Sequence, residues 1–185
     1  WKLDPYEKWS KAQLFTTSFG QWIVTTPLQM ARAYSTIANW WIYMQPYIVK
    51  SISFWDWRIV ENKPNPVQRV IKESTAKIVT EMLAEWWRIW FAKAGWVPGY
   101  NICGKTWTSQ IAYKWKYEKW AATTIGWFAW YAPAEDPRFV IIVKLERPRS
   151  SEFWETTSSK IFRRISEYVL DYYAIPKNDK LIEKK

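Results

Sequence analysis

Three side chains that can bind an anion lie close together in the segment Gly104-Lys105-Thr106-Trp107-Thr108-Ser109-Gln110. Lys105 is positively charged at neutral pH, and the hydroxyls of Thr106 and Thr108 can donate hydrogen bonds, so this trio suits a carboxylate. The surrounding stretch 101–113 is predicted to be a β-strand. A basic strand beside a turn would contain the same residues, so the segment alone does not distinguish a binding site from ordinary surface.

Several kinds of site are excluded by the residues that are missing. The sequence has no histidine and one cysteine, Cys103, which excludes a histidine-based catalytic triad and an internal disulfide and argues against zinc. We therefore expect no metal and no other cofactor. Cys103 is interpreted as a small packed residue. Glu135-Asp136-Pro137-Arg138 is interpreted as a charged turn between strands and not as a paired-carboxylate site.

The net charge of +10 and the isoelectric point near 9.6 favour an anionic partner. Charge alone does not choose between nucleic acid, an acidic membrane surface and an anionic wall polymer. Lysines and arginines are spread along the chain and no nucleic-acid-binding motif occurs, so we expect no nucleic-acid partner. The sequence also contains no run of about 18 apolar residues that could span a membrane.

Tryptophan is over-represented, with 17 residues against 5 glycines. Average glycine usage of about 7% predicts roughly 13 glycines in a chain of this length. Tryptophans instead occupy predicted turns and helix ends, where glycine is typical: Trp40, Trp41, Trp55, Trp57, Trp115 and Trp120. We hypothesise that most of them are UGA codons that the source organism reads as glycine. Trp9 is interpreted as a genuine tryptophan. The alternative is a tryptophan-rich surface that stacks on sugars or bases.

The first half of the chain reads as two helices around an extended region. Residues 1–23 are predicted to be a loop-rich opening segment. Thr26-Pro27 starts a helix that runs to Asn39, with threonine as N-cap and proline at the first helical position. Residues 42–60 are predicted to be extended around a turn at 55–57, and a proline-rich stretch at 63–66 breaks the chain. The second helix is predicted over 72–89, with Ile78, Met82 and Leu83 on its apolar face.

The second half is predicted to contain three strands, at 101–113, 121–132 and 138–146, followed by a helix at 156–173. The β-branched run 141–143 is typical of a central strand. The buried stripe of the last helix is predicted to be Ile161, Ile165, Tyr168, Val169 and Tyr172. These elements predict an α+β fold with an antiparallel sheet flanked by helices, in which the last helix packs across one face of the sheet. We expect one unit over 1–175 and a charged, disordered tail over 176–185.

With position 107 read as glycine, residues 105–108 become Lys-Thr-Gly-Thr, the third motif of penicillin-recognising acyl-serine enzymes. The stretches 18–32 and 34–41, and the strand-turn-strand at 128–139, closely resemble class B penicillin-binding proteins. The resemblance covers about residues 1–175. Its Ser18-Phe19-Gly20-Gln21 form is more similar to the cell-division transpeptidases than to the elongation transpeptidases. It implies the C-terminal part of a transpeptidase domain with the serine β-lactamase-like fold.

The resemblance implies acyl transfer on peptidoglycan, in which a serine attacks the D-Ala-D-Ala bond of a stem peptide and an amine then accepts the acyl group. Lys105 would bind the substrate carboxylate and support the serine–lysine network, and Thr106 and Thr108 would contact that carboxylate. The backbone N–H of Thr108 would be half of the oxyanion hole. The substrate would add to this strand, so the resemblance implies that 105–108 lie on an exposed edge of the sheet. Glycine at 107 would let the substrate lie against the strand, where the indole of Trp107 would fill that space.

Two motifs of this family, the nucleophile motif Ser-x-x-Lys and the motif Ser-x-Asn, are expected upstream of residue 1. The sequence Ser74-Thr75-Ala76-Lys77 fits the first motif literally but is rejected as the nucleophile. It lies only about 30 residues before Lys105, whereas the family places the nucleophile well over a hundred residues earlier. It also opens a helix, where a serine or threonine is an ordinary cap. We therefore expect this piece alone to be inactive. The resemblance further implies a membrane-anchored protein whose catalytic domain faces outward. It also implies binding of β-lactams and lipid-linked precursor, with a glycosyltransferase and divisome proteins as partners.

Two other functions remain as alternatives. One is a noncatalytic module that binds glycan or nucleic acid through basic and aromatic surface, which requires the tryptophans to be real and exposed. The other is a β-lactamase or carboxypeptidase relative that passes the acyl group to water. The stretch 18–32 argues against that second alternative, because it follows the transpeptidase pattern.

Overall fold

The computed structural model describes residues 5–18, 24–91, 97–113, 116–117, 123–148 and 154–178. The helices are a short 3-10 helix Tyr6–Lys8, α1 (Lys11–Ser18), α2 (Pro27–Ala38), α3 (Glu73–Phe91) and α4 (Trp154–Tyr172). The strands are β1 (Ile42–Gln45), β2 (Ser51–Ser53), β3 (Ile59–Glu61), β4 (Asn65–Arg69), β5 (Cys103–Gln110), β6 (Ala112–Tyr113), β7 (Lys116–Tyr117), β8 (Thr124–Ala132) and β9 (Phe139–Glu146). Within these ranges, no helix has the length and apolar character needed to cross a bilayer.

Helix α2 begins where the sequence predicts it. Thr26 is the N-cap, and its side-chain oxygen accepts a hydrogen bond from the backbone N–H of Gln29 at 3.2 Å. The Gln29 side chain accepts one in return from the backbone N–H of Thr26 at 2.9 Å, which completes a capping box. Pro27 occupies the first helical position, where its missing N–H costs nothing. The predicted helix start is therefore confirmed.

The prediction of a loop-rich opening segment is wrong in part, because α1 is helical. The side chain of Ser10 accepts a hydrogen bond from the backbone N–H of Gln13 at 3.1 Å, which satisfies one free donor of the first turn. Residues 19–23, which include the last three residues of the Ser-Phe-Gly-Gln motif, lie outside the described residues. So do Trp115, Trp120 and the tail from residue 179.

The predicted turn at 55–57 joins β2 and β3 into an antiparallel hairpin, with Ile52 opposite Val60. The prediction that the chain breaks at 63–66 is wrong in part, because Asn65 and Pro66 belong to β4. This strand pairs antiparallel with β1, with a register shift next to the position of Pro66. Such an irregularity accommodates a residue that has no N–H to donate to the ladder.

The main sheet has the antiparallel order β5-β8-β9, which confirms the predicted strands and the α+β fold. Within the described residues β9 pairs with β8, and a central position for 141–143 stays a prediction. Of these three strands, β8 lies in the middle and is buried throughout from Gly126 to Ala132. Its apolar residues face packed layers on both sides, which explains its continuous apolar run.

The last helix is confirmed, but its buried face differs from the prediction. From residue 161 onward, where burial is described, Phe162, Ser166 and Leu170 are fully buried, at spacings of four. Predicted members Ile161, Tyr168 and Tyr172 are exposed by 42%, 69% and 71%, whereas Ile165 and Val169 are half-buried. The buried stripe therefore lies one residue further round the helix, because Phe162 packs edge-on against Phe128 and Trp130 of the sheet.

Helix α3 also presents a face that hydrophobic spacing did not identify. Ile78 and Met82 are 52% and 64% exposed, so two of the three predicted apolar-face residues are wrong. Leu83 is half-buried, as predicted. Between residues 73 and 89, Ala76 and Trp87 are buried, and Trp87 stacks on Phe128 with ring centroids 5.3 Å apart. A small residue, Ala76, allows the start of the helix to lie close to its neighbours. The longer side chains of Ile78 and Met82 point to solvent.

Two clusters of buried residues lie on opposite faces of the sheet, as the strand alternation requires. One contains Phe128, Trp130 and Phe162 with their neighbours. The other contains Tyr34, Cys103, Ala129 and Tyr131. The predicted packing of the last helix across one face of the sheet is thus confirmed.

The segment that follows α4 contacts the turn before β5. The hydroxyl of Tyr100 donates a hydrogen bond to the carbonyl of Ile175 at 2.6 Å, and the N–H of Asn178 donates to the carbonyl of Gly99 at 2.8 Å. These bonds order the chain as far as residue 178. The boundary at 175 remains a prediction.

Candidate functional site

Strand β5 places Lys105, Thr106 and Thr108 on an edge of the main sheet, since it pairs with β8 alone among the described residues. Thr106 lies opposite Phe128, and Thr108 lies opposite Gly126. The predicted edge position is confirmed. An edge strand can accept an added strand through its outward N–H and C=O groups.

The ladder geometry shows which backbone groups point outward. The N–H of Ile111 donates to the carbonyl of Thr123 at 3.0 Å, so this pair continues the bonds between β5 and β8. Hydrogen-bonded pairs alternate along an antiparallel ladder, so the odd-numbered residues of β5 bond to β8. The N–H and C=O groups of Thr106, Thr108 and Gln110 are therefore directed away from β8, toward the edge.

The side chain of Lys105 is held at this edge by two contacts. Its Nζ donates a hydrogen bond to the carbonyl oxygen of Thr106 at 2.9 Å and lies 4.0 Å from the ring centroid of Trp86. Partial burial lowers the pKa of Lys105 from its usual value, because desolvation penalises the charged form. The side chain is exposed as a whole, so the ammonium remains available to an anion at the edge.

The two threonines differ in accessibility. Thr108 is exposed, whereas Thr106 is only 6% exposed. Both have even numbers and point to the sheet face that carries Phe128, opposite the face of Lys105. The structure thus brings the Lys105 ammonium to the Thr106 backbone and leaves the Thr108 hydroxyl accessible, but it buries the Thr106 side chain.

Trp107 turns its indole onto the face that it shares with Lys105 and Cys103. The ring is half-buried and stacks between Tyr34, at 6.5 Å, and Trp127, at 5.7 Å between centroids. The indole therefore lies over the face of the sheet beside Lys105, one strand position from Thr108. An approach to the edge from this face meets the ring.

Cys103 is packed beneath α3 and is not a nucleophile. It is completely buried, and its Sγ donates a weak hydrogen bond to the carbonyl of Thr80 at 3.4 Å. Burial raises the pKa of this thiol to about 12, so almost no thiolate exists at neutral pH. The hydroxyls of Thr80 and Tyr131 share a hydrogen bond of 2.9 Å beside it. The interpretation of Cys103 as a small packed residue is confirmed.

Sequence reasoning did not identify the residues that support Lys105. Helix α3 lies alongside the first half of β5, because Thr80 contacts Cys103 and Trp86 contacts Lys105. Tyr34 of α2 supports Trp107 from the sheet face. The hydrophobic spacing in α3 pointed to Ile78 and Met82, so no sequence signal indicated that Trp86 meets the lysine.

The other chemical groups considered in the sequence lie elsewhere. Asp136 and Arg138 form an exposed ion pair at 3.4 Å in the turn between β8 and β9, which confirms the charged turn. Ser74 and Lys77 are exposed in the first turns of α3. A cavity of about 540 Å³ between α2, α3 and the β8–β9 turn is lined by Lys77, Thr80 and Glu135 but by none of residues 105–108. No group of three or more potential metal ligands occurs in the part of the chain that the structure describes.

The chain is similar to two bacterial proteins along nearly its whole length. It is 30% identical over 186 residues to stage V sporulation protein D of Bacillus subtilis, covering 99% of this chain and 28% of that protein. It is 31% identical over 171 residues to peptidoglycan D,D-transpeptidase FtsI of Escherichia coli, covering 89% of this chain and 26% of that protein. The chain thus spans less than a third of the length of these relatives.

A solved structure shows the same architecture. Penicillin-binding protein 3 of Mycobacterium tuberculosis, complexed with aztreonam, superposes with a TM-score of 0.81 at 26% identity, over 97% of this chain and 42% of that one. The family model described as the penicillin binding protein transpeptidase domain matches residues 3–167. The chain therefore belongs to the penicillin-binding protein transpeptidase family.

Proposed function

We propose that the intact protein containing this chain is a serine-type D,D-transpeptidase that crosslinks peptidoglycan stem peptides. The observation that carries the proposal is the edge strand β5, which combines the Lys105 ammonium with the outward N–H of Thr108. Family membership supports the same reaction class. The nucleophilic serine and its lysine are expected in the remaining part of the protein.

In this proposal the stem peptide adds to the edge of β5 as an extended strand. Lys105 attracts the terminal carboxylate of D-Ala-D-Ala. The Thr108 hydroxyl points to the opposite face of the sheet, so Thr108 takes part through its backbone. The N–H of Thr108 points where a carbonyl oxygen of an added strand would lie. It would stabilise the oxyanion that forms when the serine attacks. The buried Thr106 contributes its carbonyl, which positions the Lys105 ammonium.

The proposal extends to ligands, partners and location. β-Lactams would acylate the same serine, as the aztreonam complex of the similar structure suggests. The FtsI name of one relative favours a role in septal wall synthesis, with lipid-linked precursor as substrate and a cell-division glycosyltransferase and divisome proteins as partners. We also propose a membrane-anchored protein whose catalytic domain faces the extracytoplasmic side. A noncatalytic glycan- or nucleic-acid-binding module is not favoured, because residues 3–167 match an enzyme family.

Direct assay of the crosslinking reaction tests the proposal. The intact protein, with glycine at position 107, is incubated with a stem peptide ending in D-Ala-D-Ala and with an amine acceptor. We expect free D-alanine and a crosslinked product in equal amounts. Release of D-alanine without crosslinked product would indicate a carboxypeptidase, and release of neither from folded protein would contradict the proposal.

A further inference from the structure

Three tryptophans have a left-handed backbone. Trp40, Trp41 and Trp57 have φ values of 62°, 76° and 66°. A Cβ atom is crowded in this region, so a bulky residue there is an outlier and glycine is the usual occupant. Of the five non-glycine residues with positive φ in the described ranges, three are tryptophans. The explanation must therefore be specific to tryptophan, because general backbone strain would not select one residue type.

Trp40 follows the end of α2 at a position that normally holds glycine. Asn39 is the C-cap, and the N–H of Trp41 donates to the carbonyl of Thr36 at 2.8 Å. This bond across five residues is typical of the Schellman motif, in which the residue after the cap is left-handed. Trp40 is 51% exposed, so burial of its indole does not offset the backbone strain.

Trp41 combines positive φ with an indole environment that does not suit tryptophan. Its side chain is 1% exposed, and its Nε1 has no hydrogen-bond partner among the described residues. Buried indole N–H groups usually find an acceptor, because an unsatisfied buried donor is costly. Neither the backbone nor the side-chain environment at position 41 therefore favours tryptophan.

Trp57 closes the hairpin between β2 and β3. The N–H of Phe54 donates to the carbonyl of Arg58 at 2.9 Å, and the N–H of Trp57 donates to the carbonyl of Phe54 at 3.1 Å. These bonds define a three-residue loop whose last residue is left-handed, a place where glycine is favoured. Trp57 is 92% exposed, so its indole has almost no packing.

We infer that the natural protein has glycine at positions 40, 41 and 57, and that these tryptophans are UGA codons read as tryptophan in place of glycine. One codon reassignment explains why a single residue type occupies unrelated glycine positions and why the sequence has 17 tryptophans but 5 glycines. A surface that stacks on sugars could account for exposed Trp57 but not for buried Trp41. The inference rests on backbone geometry and is independent of the proposed enzymatic function.

The codons of the gene and the mass of the natural protein test this inference. We expect UGA at positions 40, 41 and 57, and peptides from the source cells whose masses require glycine there. A UGG codon at any of the three positions, or a natural peptide whose mass requires tryptophan, would overturn it. Neither result depends on whether the protein crosslinks peptidoglycan.

A matched pair of variants in the hairpin tests the geometric argument itself. Trp55 and Trp57 are 94% and 92% exposed, but only Trp57 has positive φ. In the intact protein, Trp57→Gly should slow amide exchange of the Phe54 N–H about tenfold, because it relieves the left-handed strain. Trp55→Gly should not slow exchange, because glycine there only loosens the chain. Equal effects of the two variants, or faster exchange in Trp57→Gly, would refute the strain argument.

Discussion

The ammonium of Lys105 lies 2.9 Å from the carbonyl oxygen of Thr106, its own neighbour on the edge strand. The centroid of the Trp86 ring lies 4.0 Å from the same ammonium. Because the Thr106 carbonyl points away from β8, the charge is held where an added peptide would run. The backbone of the site thus positions the lysine before any substrate binds.

Removing this charge should slow acylation of the intact protein. Lys105→Ala is expected to lower the rate of labelling by a fluorescent penicillin about ten- to hundredfold, since a hydrogen bond to a charged group contributes about 1.5–3 kcal/mol. Lys77→Ala removes an exposed lysine of α3 and should leave the rate unchanged. Equal rates for the Lys105 variant and the parent protein would remove Lys105 from the site.

The pH dependence of acylation should report the lowered pKa of Lys105. The charged form binds the carboxylate, so the rate should fall as pH rises through this pKa. Because burial lowers the pKa, the fall should begin below the range of a free lysine, near 10.4. The measurement is the rate of penicillin labelling between neutral pH and pH 10, with circular dichroism as a control for folding. A decline only above that range would show that the lysine is not desolvated.

Proline scanning of the edge should separate the N–H of Thr108 from its side chain. Thr108→Pro removes an N–H that points outward, so the fold should persist while acylation falls about 100- to 1,000-fold, the typical loss of one oxyanion donor. Thr108→Ala retains the N–H and should lose much less activity. Gln110→Pro removes the next outward N–H and should acylate normally. Similar losses in both proline variants would indicate general damage to the strand.

Cys103 should be inert while the protein is folded. At neutral pH we expect no alkylation by iodoacetamide without denaturant and complete alkylation in denaturant, because burial raises the thiol pKa to about 12. Since this pKa exceeds the unfolded value of about 8.5, the stabilisation from the neutral thiol is present below pH 8.5 and is lost as pH rises toward 12. Cys103→Ala should therefore lose less stability over that range. Fast labelling of folded protein, detected by mass spectrometry, would contradict the packing.

The shifted stripe of α4 makes a stability prediction. Phe162→Ala should lower the free energy of unfolding by about 3–5 kcal/mol, because it opens a cavity between the helix and the sheet. Tyr172→Ala, at a residue that is 71% exposed, should change it by less than about 0.5 kcal/mol. Denaturant unfolding of the intact protein provides the comparison. A larger loss for Tyr172→Ala would restore the stripe predicted from sequence.

Local signals predicted the parts of the fold that depend on local chemistry. Thr26 and Pro27 defined the start of α2, since capping depends on a few neighbouring atoms. The order of the strands depends on pairings across the chain, so local composition did not show that β8 lies between β5 and β9. The predicted buried faces of α3 and α4 were wrong in part for a similar reason. Phe162 is buried because aromatic rings of the sheet lie opposite it, and sequence periodicity does not contain that information.

The sequence predicted the strand that carries the candidate site, but it did not predict the side chains that surround the site. The motif at 105–108 indicated a strand edge, and the structure places it there. The supporting contacts of Trp86 and Tyr34 come from helices distant in sequence, so spacing did not reveal them. The burial of Thr106 likewise results from packing on the sheet face opposite Lys105.

Penicillin labelling of the intact protein in two forms, with glycine or tryptophan at position 107, tests the central claim most directly. A ring at 107 covers the sheet face beside Lys105, whereas glycine leaves that face open. We predict that the glycine form becomes covalently labelled, that excess unlabelled penicillin prevents the labelling, and that the tryptophan form is nearly inert while folded. Failure of the folded glycine form to become labelled would contradict the acyl-serine account.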